Sequence, residues 1–262
     1  MAWVQPLLPH VTPFLLVLSR LLGVFVFTPL LSSASMPRQV RVMIAVSFTA
    51  AVYPTIAARL APIPELSLVV LAPLMLTEVM IGVVIGMIAS LPLIMLQMGG
   101  YIMGYQMGLA LAQAYNPELD TESGVMGQLL FFLGMAAFVT LGGFELVFLS
   151  LLRTFDSVPL GAFAADVMPL EIFVGLLDAG FGFALRIAAP VLAVVIMILV
   201  AMGFIMKTMP QINIMSVGFA MKIMAGISTL LAVIVVVNQV TGEEIERVLM
   251  LVAQWSASPG GG

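Results

Sequence analysis

The sequence predicts an all-α, membrane-associated protein made of tilted helical hairpins, with about six long apolar helices. Two observations carry that class. The 262 residues are 62% hydrophobic and 8% charged, with a mean hydropathy of +1.21, whereas a soluble domain carries about 25% charged residues. Water is therefore not the main solvent of this surface. The apolar residues also fall into six runs, at 11–31, 42–58, 68–96, 129–152, 172–206 and 217–237. About 20 apolar residues span a bilayer core, so five runs are long enough and the second is borderline.

The elements follow in order. No Lys or Arg occurs in the first ten residues, so the first run is expected to stay as a helix and not to act as a cleaved signal. The third run holds Gly82 and Gly86 in a G-x-x-x-G pair, followed by Ser90. Small residues at this spacing allow close helix contact. Packing against other chains is the preferred use, and packing within the chain fits equally well. Residues 99–123 read as a linker, with Gly99, Gly100, Gly104, Gly108, Asn116 and Pro117 beside Glu118, Asp120 and Glu122. A second polar connector, 153–171, holds Pro159, Gly161 and Pro169. The fifth run would reach roughly 50 Å as one helix at 1.5 Å per residue. It must tilt, kink near Pro190 or extend beyond the membrane. Pro210 stops it from running straight into the sixth, and Asn213 and Ser216 are candidate caps of the helix that follows. From Thr241 a separate amphipathic helix is expected. Thr241 and Glu244 would form its capping box, Glu243 and Arg247 an i,i+4 pair, and Ile245, Val248, Leu249 and Val252 its apolar face. Residues 256–262 should fray.

Composition excludes several function classes. The net charge is −4 and no basic cluster exists, which argues against nucleic acid. There is no cysteine, hence no disulfide, thiolate metal site or Cys nucleophile. The one histidine, His10, cannot build a haem or zinc site alone and reads as an exposed or interfacial side chain. No phosphate loop followed by Lys-Ser/Thr occurs, and no nucleophile–base set appears. No metal and no cofactor is expected, and the chain does not read as an enzyme. The 21 methionines are either packing filler or a deformable lining. Met95, Met98, Met103 and Met107, which lead into the central linker, favour a lining there.

Ionisable groups in apolar runs are expensive and usually pair, face an aqueous cavity or snorkel. Arg20, Glu78, Glu145, Asp178, Arg186 and Lys222 are such groups. Arg20, Glu78, Glu145 and Arg186 are candidates for buried charges that hold helices or subunits together. A proton relay is the competing reading, and the scarcity of carboxylates favours ion pairing. The linkers with Arg38, Arg41 and Lys207 are slightly richer in positive charge than those with Arg59 and Arg153. This places the former at the cytoplasmic side and the N-terminus outside.

Several strings in this order resemble one family. They are Arg20, Gly23, Pro29, Pro37 and Arg41; Glu78, Gly82 and Gly86; Gln106-Met107-Gly108 with Ala112 and Pro117; and Arg153-Thr154-Phe155 with Pro159-Leu160-Gly161. The residues 202–226 around Lys207, Pro210, Gln211, Asn213 and Gly218-Phe219 complete the set. Together they resemble the FliR family, a membrane component of the export gate of flagellar and related type III secretion systems. Two positions depart from its pattern: Asn116 stands where an aspartate is expected, and Ala220 where a proline is expected.

The resemblance implies a subunit of a hetero-oligomeric helical assembly around a protein-conducting pore, in the bacterial inner membrane at the flagellar basal body. Residues 1–171, including the central loop 99–123, would be similar to a FliP-like subunit. Residues 172–237 would be similar to a FliQ-like hairpin, and 238–262 would form the amphipathic C-terminal helix and tail. FliP-like and FliQ-like subunits, a FlhB-like export protein and unfolded export substrates are the implied partners. Gln106, Met107, Leu109, Leu111, Gln113, Tyr115, Asn116 and Pro117 would belong to a loop that plugs the pore. Lys207, Pro210, Gln211, Asn213 and Lys222 would mark a turn at the cytoplasmic entrance. The alternative from residues alone is a small-solute secondary transporter, with Pro73, Pro92 and Pro190 breaking helices around a midplane site.

Overall fold

A computed structural model of the chain describes residues 8–28, 37–57, 68–109, 124–161, 170–208 and 214–257. These form helices α1 (Leu8–Phe27), α2 (Arg38–Ala57), α3 (Leu68–Met107), α4 (Gly124–Thr140), α5 (Gly143–Ser157), α6 (Leu170–Thr208) and α7 (Ile214–Ala257). The all-α class is as expected, and no strand occurs among the described residues. Five helices are long and apolar enough to cross a membrane, and α4 with α5 forms a further, broken candidate.

Several boundaries differ from the sequence expectation. Helix α3 is 40 residues long and runs on through Gly99, Gly100 and Gly104, which had read as linker. Helix α6 is 39 residues long and α7 is 44. At 1.5 Å per residue each reaches about 60 Å, twice the ~30 Å of a hydrocarbon core. Pro73, Pro92 and Pro190 lie inside continuous helix and break none. The fourth apolar run is two helices rather than one. Gly142 takes φ 69°, ψ 27°, the left-handed conformation that ends a helix and that glycine adopts without cost. No helix begins at Thr241. Its hydroxyl donates back to the Val237 carbonyl at 2.6 Å within α7, so the anticipated capping box does not form. Buried Val237, Ile245, Val248, Leu249 and Val252 carry the helix through this point by packing. Ser256 is also helical and buried, and does not belong to a frayed tail.

The chain divides into two compact units: residues 1–90, 142–174 and 246–262, and residues 91–141 and 175–245. In the first, α1 and the first half of α3 cross at glycine. A Cβ on Gly23 would collide with the Val79 carbonyl oxygen, and one on Gly82 with the Arg20 carbonyl oxygen. A Cβ on Gly86 would stand 2.7 Å from the Val24 carbonyl oxygen. The Gly82/Gly86 pair is therefore used inside the chain, against α1. Around it Leu16, Val17, Leu21, Val24 and Phe25 of α1 and Ile81, Ile85 and Ile88 of α3 are buried. Tyr53 of α2 caps the start of α1: its hydroxyl lies 2.9 Å from His10 Nδ1, and its ring meets Phe14 edge-on.

In the second unit the end of α3 is approached from three sides, each time at a small residue. A Cβ on Gly100 would lie 2.6 Å from the Met126 carbonyl oxygen of α4, and one on Gly99 2.8 Å from the Ala184 carbonyl oxygen of α6. On α7, Gly226 receives the side chain of Met107. Glycine in α3 thus serves close packing here and not loop flexibility. Of the most apolar 18-residue stretch of α3, 72% is buried, against 17% of those in α2, α6 and α7. The other three turn broad apolar faces outward within their own units.

Candidate functional site: a buried arginine–glutamate node

The most polar interior point of the first unit is built on Arg20. Its place on α1 follows from period: Leu16, Val17, Arg20, Leu21 and Val24 lie on one buried face. Arg20 has no exposure and Glu78 of α3 has 1%. Charges so deep are costly unless paired and fully hydrogen-bonded, and here both are. Arg20 Nε donates to Glu78 Oε2. Arg20 Nη1 donates to the Thr154 carbonyl at 3.0 Å and to Thr154 Oγ1 at 3.2 Å. Arg20 Nη2 donates to the Val158 carbonyl at 3.2 Å. The guanidinium stacks over the Phe155 ring, 4.4 Å from its centroid, a cation–π contact. The other Glu78 oxygen, Oε1, accepts the Gly161 N–H at 2.9 Å.

The chemistry of this node is structural. The last carbonyls of a helix lack intrahelical donors, and a cation at a helix C-terminus also meets the dipole favourably. At the end of α5 the Thr154 carbonyl also accepts the Val158 N–H at 2.8 Å, and Arg20 adds a second donor there, a donor to the Val158 carbonyl and the positive charge. Glu78 then holds the turn that follows α5, where Gly161 adopts φ 77°. The planar fork of arginine fits this set of acceptors, and a lysine would not replace it. Ser157, in the last turn of α5, donates to the Ser256 carbonyl at 2.7 Å and ties in the end of α7. Five elements thus meet at one polar point: α1, α3, α5, its following turn and the end of α7.

Of the four charges singled out by sequence, the structure brings together Arg20 and Glu78 only. Glu145 is exposed in the first turn of α5, where a carboxylate favours the helix dipole without an ion partner. It reached a helix start because Gly142 breaks the run. Arg186 and Asp178 are exposed on α6. Thr154, Phe155, Val158 and Gly161 complete the node. Their signal in the sequence was the Arg153-Thr154-Phe155 and Pro159-Leu160-Gly161 strings, but nothing there tied them to Arg20.

Of the residues assigned to a plug, Gln106 is exposed and Met107 buried at the end of α3, and Leu109 is half-buried in the turn after it. Leu111, Gln113, Tyr115, Asn116 and Pro117 lie outside the described residues. Met95, Met103 and Met107 are buried packing residues, while Met98 is 38% exposed. These three fill the interior of the second unit and do not line an open path in it. Of the entrance-turn residues, Lys207 is exposed in the last turn of α6. Lys222 is half-buried on α7, with its ammonium 5.5 Å from the Phe219 ring centroid. Pro210, Gln211 and Asn213 lie outside the described residues. Among the described residues, no group of three or more His, Asp or Glu side chains is placed to hold a metal.

Long apolar helices, outward apolar faces and a polar interior that only fastens helix ends define an all-α membrane protein. The family described as Bacterial export proteins, family 1, matches residues 11–248, and the chain belongs to that family. It is 27% identical to the flagellar biosynthetic protein FliR of Escherichia coli strain K12, over 82% of this chain and 81% of that one. It is 26% identical to the FliR protein of Bacillus subtilis strain 168, over 92% of this chain and 94% of that one. It is also 28% identical to the Yop proteins translocation protein T of Yersinia pestis, over 88% of this chain and 86% of that one.

Proposed function

We propose that the chain is a subunit of the flagellar type III protein export gate in the bacterial inner membrane, at the basal body. With FliP-like and FliQ-like partners it forms and closes a protein-conducting pore for unfolded export substrates. It does no chemistry on them, and the driving energy comes from other components. The observation that carries this reading is the family match over residues 11–248, which takes in helices of both compact units. The low burial of α2, α6 and α7 supports it, since helices that must pack against neighbouring subunits as well as lipid keep their apolar faces outward.

Within this reading, residues 1–171 correspond to a FliP-like region, 172–237 to a FliQ-like hairpin and 238–262 to a C-terminal extension. The segment 106–123 closes the resting pore. The turn 207–213, between the exposed Lys207 and the start of α7, lies at the cytoplasmic entrance and meets a FlhB-like protein. Removing the chain should abolish secretion of filament subunits. Deleting residues 109–116 should let the assembled gate leak ions or small solutes. Normal filament secretion without the chain, or an assembled deletion variant with an intact membrane barrier, would contradict the reading.

A further inference from the structure

Helix α6 meets α3 through Gly180 and Ala184, which lie against Met95 and Gly99. At about 100° per residue, the opposite face of α6 carries Asp178, Gly182, Arg186 and Ala189, and all but the helix interior of this face is exposed. Asp178 and Arg186 bear opposite charges roughly two turns apart, about 12 Å along the axis at 1.5 Å per residue. Gly182 stands midway between them, and a Cβ there would meet nothing within 4 Å. The residues three and four positions from each charge are glycine, proline or hydrocarbon, so neither has a partner along its own helix. Among the described residues neither is ion-paired or hydrogen-bonded to another helix. Phe181 and Leu185 flank them, 46% and 54% exposed. Such a face suits no single solvent. In hydrocarbon the two charges are costly, and in water the two large apolar side chains stay uncovered. Whatever depth this segment of an overlong helix takes, part of the face needs a cover.

We propose that this face seats a helix of a different protein, with an acidic side chain level with Arg186, a basic one level with Asp178 and a small residue crossing at Gly182. A second copy of this chain does not fit. A symmetric pair in a membrane has its axis along the membrane normal, so equal faces meet in parallel. That sets Asp178 against Asp178 and Arg186 against Arg186, and like charges oppose association. A phospholipid headgroup does not fit either. Its phosphate suits Arg186 but is repelled by Asp178, and the short link from phosphate to amine does not reach across two helical turns. A helix rises by the same step as α6, so it meets both charges at once and covers Phe181 and Leu185. The open backbone at Gly182 lets the two axes come close. The inference rests on the reading above in one respect, that the chain has neighbouring subunits. It adds the face that receives one and the charge order that selects it.

The test uses the tagged, full-length chain in its native membrane, with the photo-crosslinker p-benzoylphenylalanine in place of Leu185, beside both charges. Irradiation should link it to a protein other than this chain. Mass spectrometry of the linked peptide should find an acidic and a basic residue two turns apart around the link. The double change Asp178→Arg/Arg186→Asp keeps the net charge and reverses its order, so that like charges meet across the seat. It should cut the crosslink yield about tenfold or more, whereas Arg186→Lys keeps the charge and should retain most of it. Both residues are exposed, so the double change should leave the thermal stability of the detergent-purified chain unchanged. A fall in that stability would overturn the seat, because it would put the charges to use inside the chain. Links to lipid alone, to a second copy or to a peptide without those charges would overturn it too, as would equal yields from the native and charge-swapped chains. A charge-matched partner unlike FliP or FliQ would uphold the seat and count against the gate reading alone. Co-elution of FliP-like and FliQ-like proteins, with only lipid linked at this position, would do the reverse.

Discussion

Arg20 and Glu78 meet where α1 and α3 touch backbone to backbone. The ion pair lies one helical turn from the Gly23–Gly82 contact, so the closest approach of the two helices and their only described charge pair share one locus. Small residues bring the helices close enough for the guanidinium to reach past α3 to the end of α5. The charge pair, in turn, fixes which faces meet.

Breaking this pair one-sidedly should be severe. Arg20→Ala strands Glu78 and removes the donor to the Val158 carbonyl, at a cost of about 3–5 kcal/mol. Glu78→Ala should cost a similar amount. The double variant Arg20→Met/Glu78→Leu should recover most of the loss, since apolar side chains of similar volume can replace a buried pair. Thermal denaturation of the detergent-purified protein followed by size-exclusion chromatography measures this. A double variant no better than either single one would show that the node does more than fasten helices.

Glycine-to-alanine changes should separate sharply by position. Gly82→Ala must drive a methyl into the Arg20 carbonyl oxygen, and overpacking of this kind costs roughly 1–3 kcal/mol or more. Gly182→Ala on α6 meets nothing within 4 Å and should gain about 0.5–1 kcal/mol from helix propensity. The same denaturation assay on the purified chain compares them. Equal effects would contradict the close crossing of α1 and α3.

Glu145→Gln should leave the stability of the purified chain nearly unchanged, because the carboxylate is exposed in the first turn of α5 and loses only a screened dipole interaction. A loss comparable to that of Glu78→Ala would mean that Glu145 is paired. If the variant assembles normally but export loses its pH dependence, a proton relay through Glu145 regains support.

Alkaline or high-salt washing should leave the protein in the membrane fraction, and only detergent should release it. Apolar burial at about 25 cal/mol per Å² over five candidate spans outweighs any attachment that salt screens. Recovery in the wash would overturn the membrane assignment.

A Gln211→Cys variant should react with a membrane-impermeant maleimide in inside-out vesicles and not in intact cells. In the reading proposed above this turn lies on the cytoplasmic side, and the exposed Lys207 at the end of α6 is one of the positive charges that support it. The same thiol should crosslink to the FlhB-like protein. Labelling only from the outer face would invert the topology.

The fold class was legible because composition and run length depend on solvent, and the solvent here is lipid. Arg20 and Glu78 were legible as important because an ionisable group in an apolar run always needs an explanation. Their pairing was not, since they are 58 residues apart in sequence and no local pattern links them. Gly142 was invisible to hydropathy, which averages over the residue that ends the helix. Gly99, Gly100 and Gly104 were misread because glycine serves both flexible loops and tight crossings, and only the neighbour decides between them. Thr241 matched a capping pattern, but the buried face of α7 continues across it, and cooperative packing overrides a local cap.

The central claim is membership of a hetero-oligomeric export gate. Its most direct test is mild-detergent purification of the affinity-tagged, full-length chain from its native membrane, with the co-eluting proteins identified by mass spectrometry. FliP-like and FliQ-like proteins should elute with it in fixed ratio and stay bound through size-exclusion chromatography. A chain that elutes alone, and binds a small solute by itself, would contradict the account and restore the transporter reading.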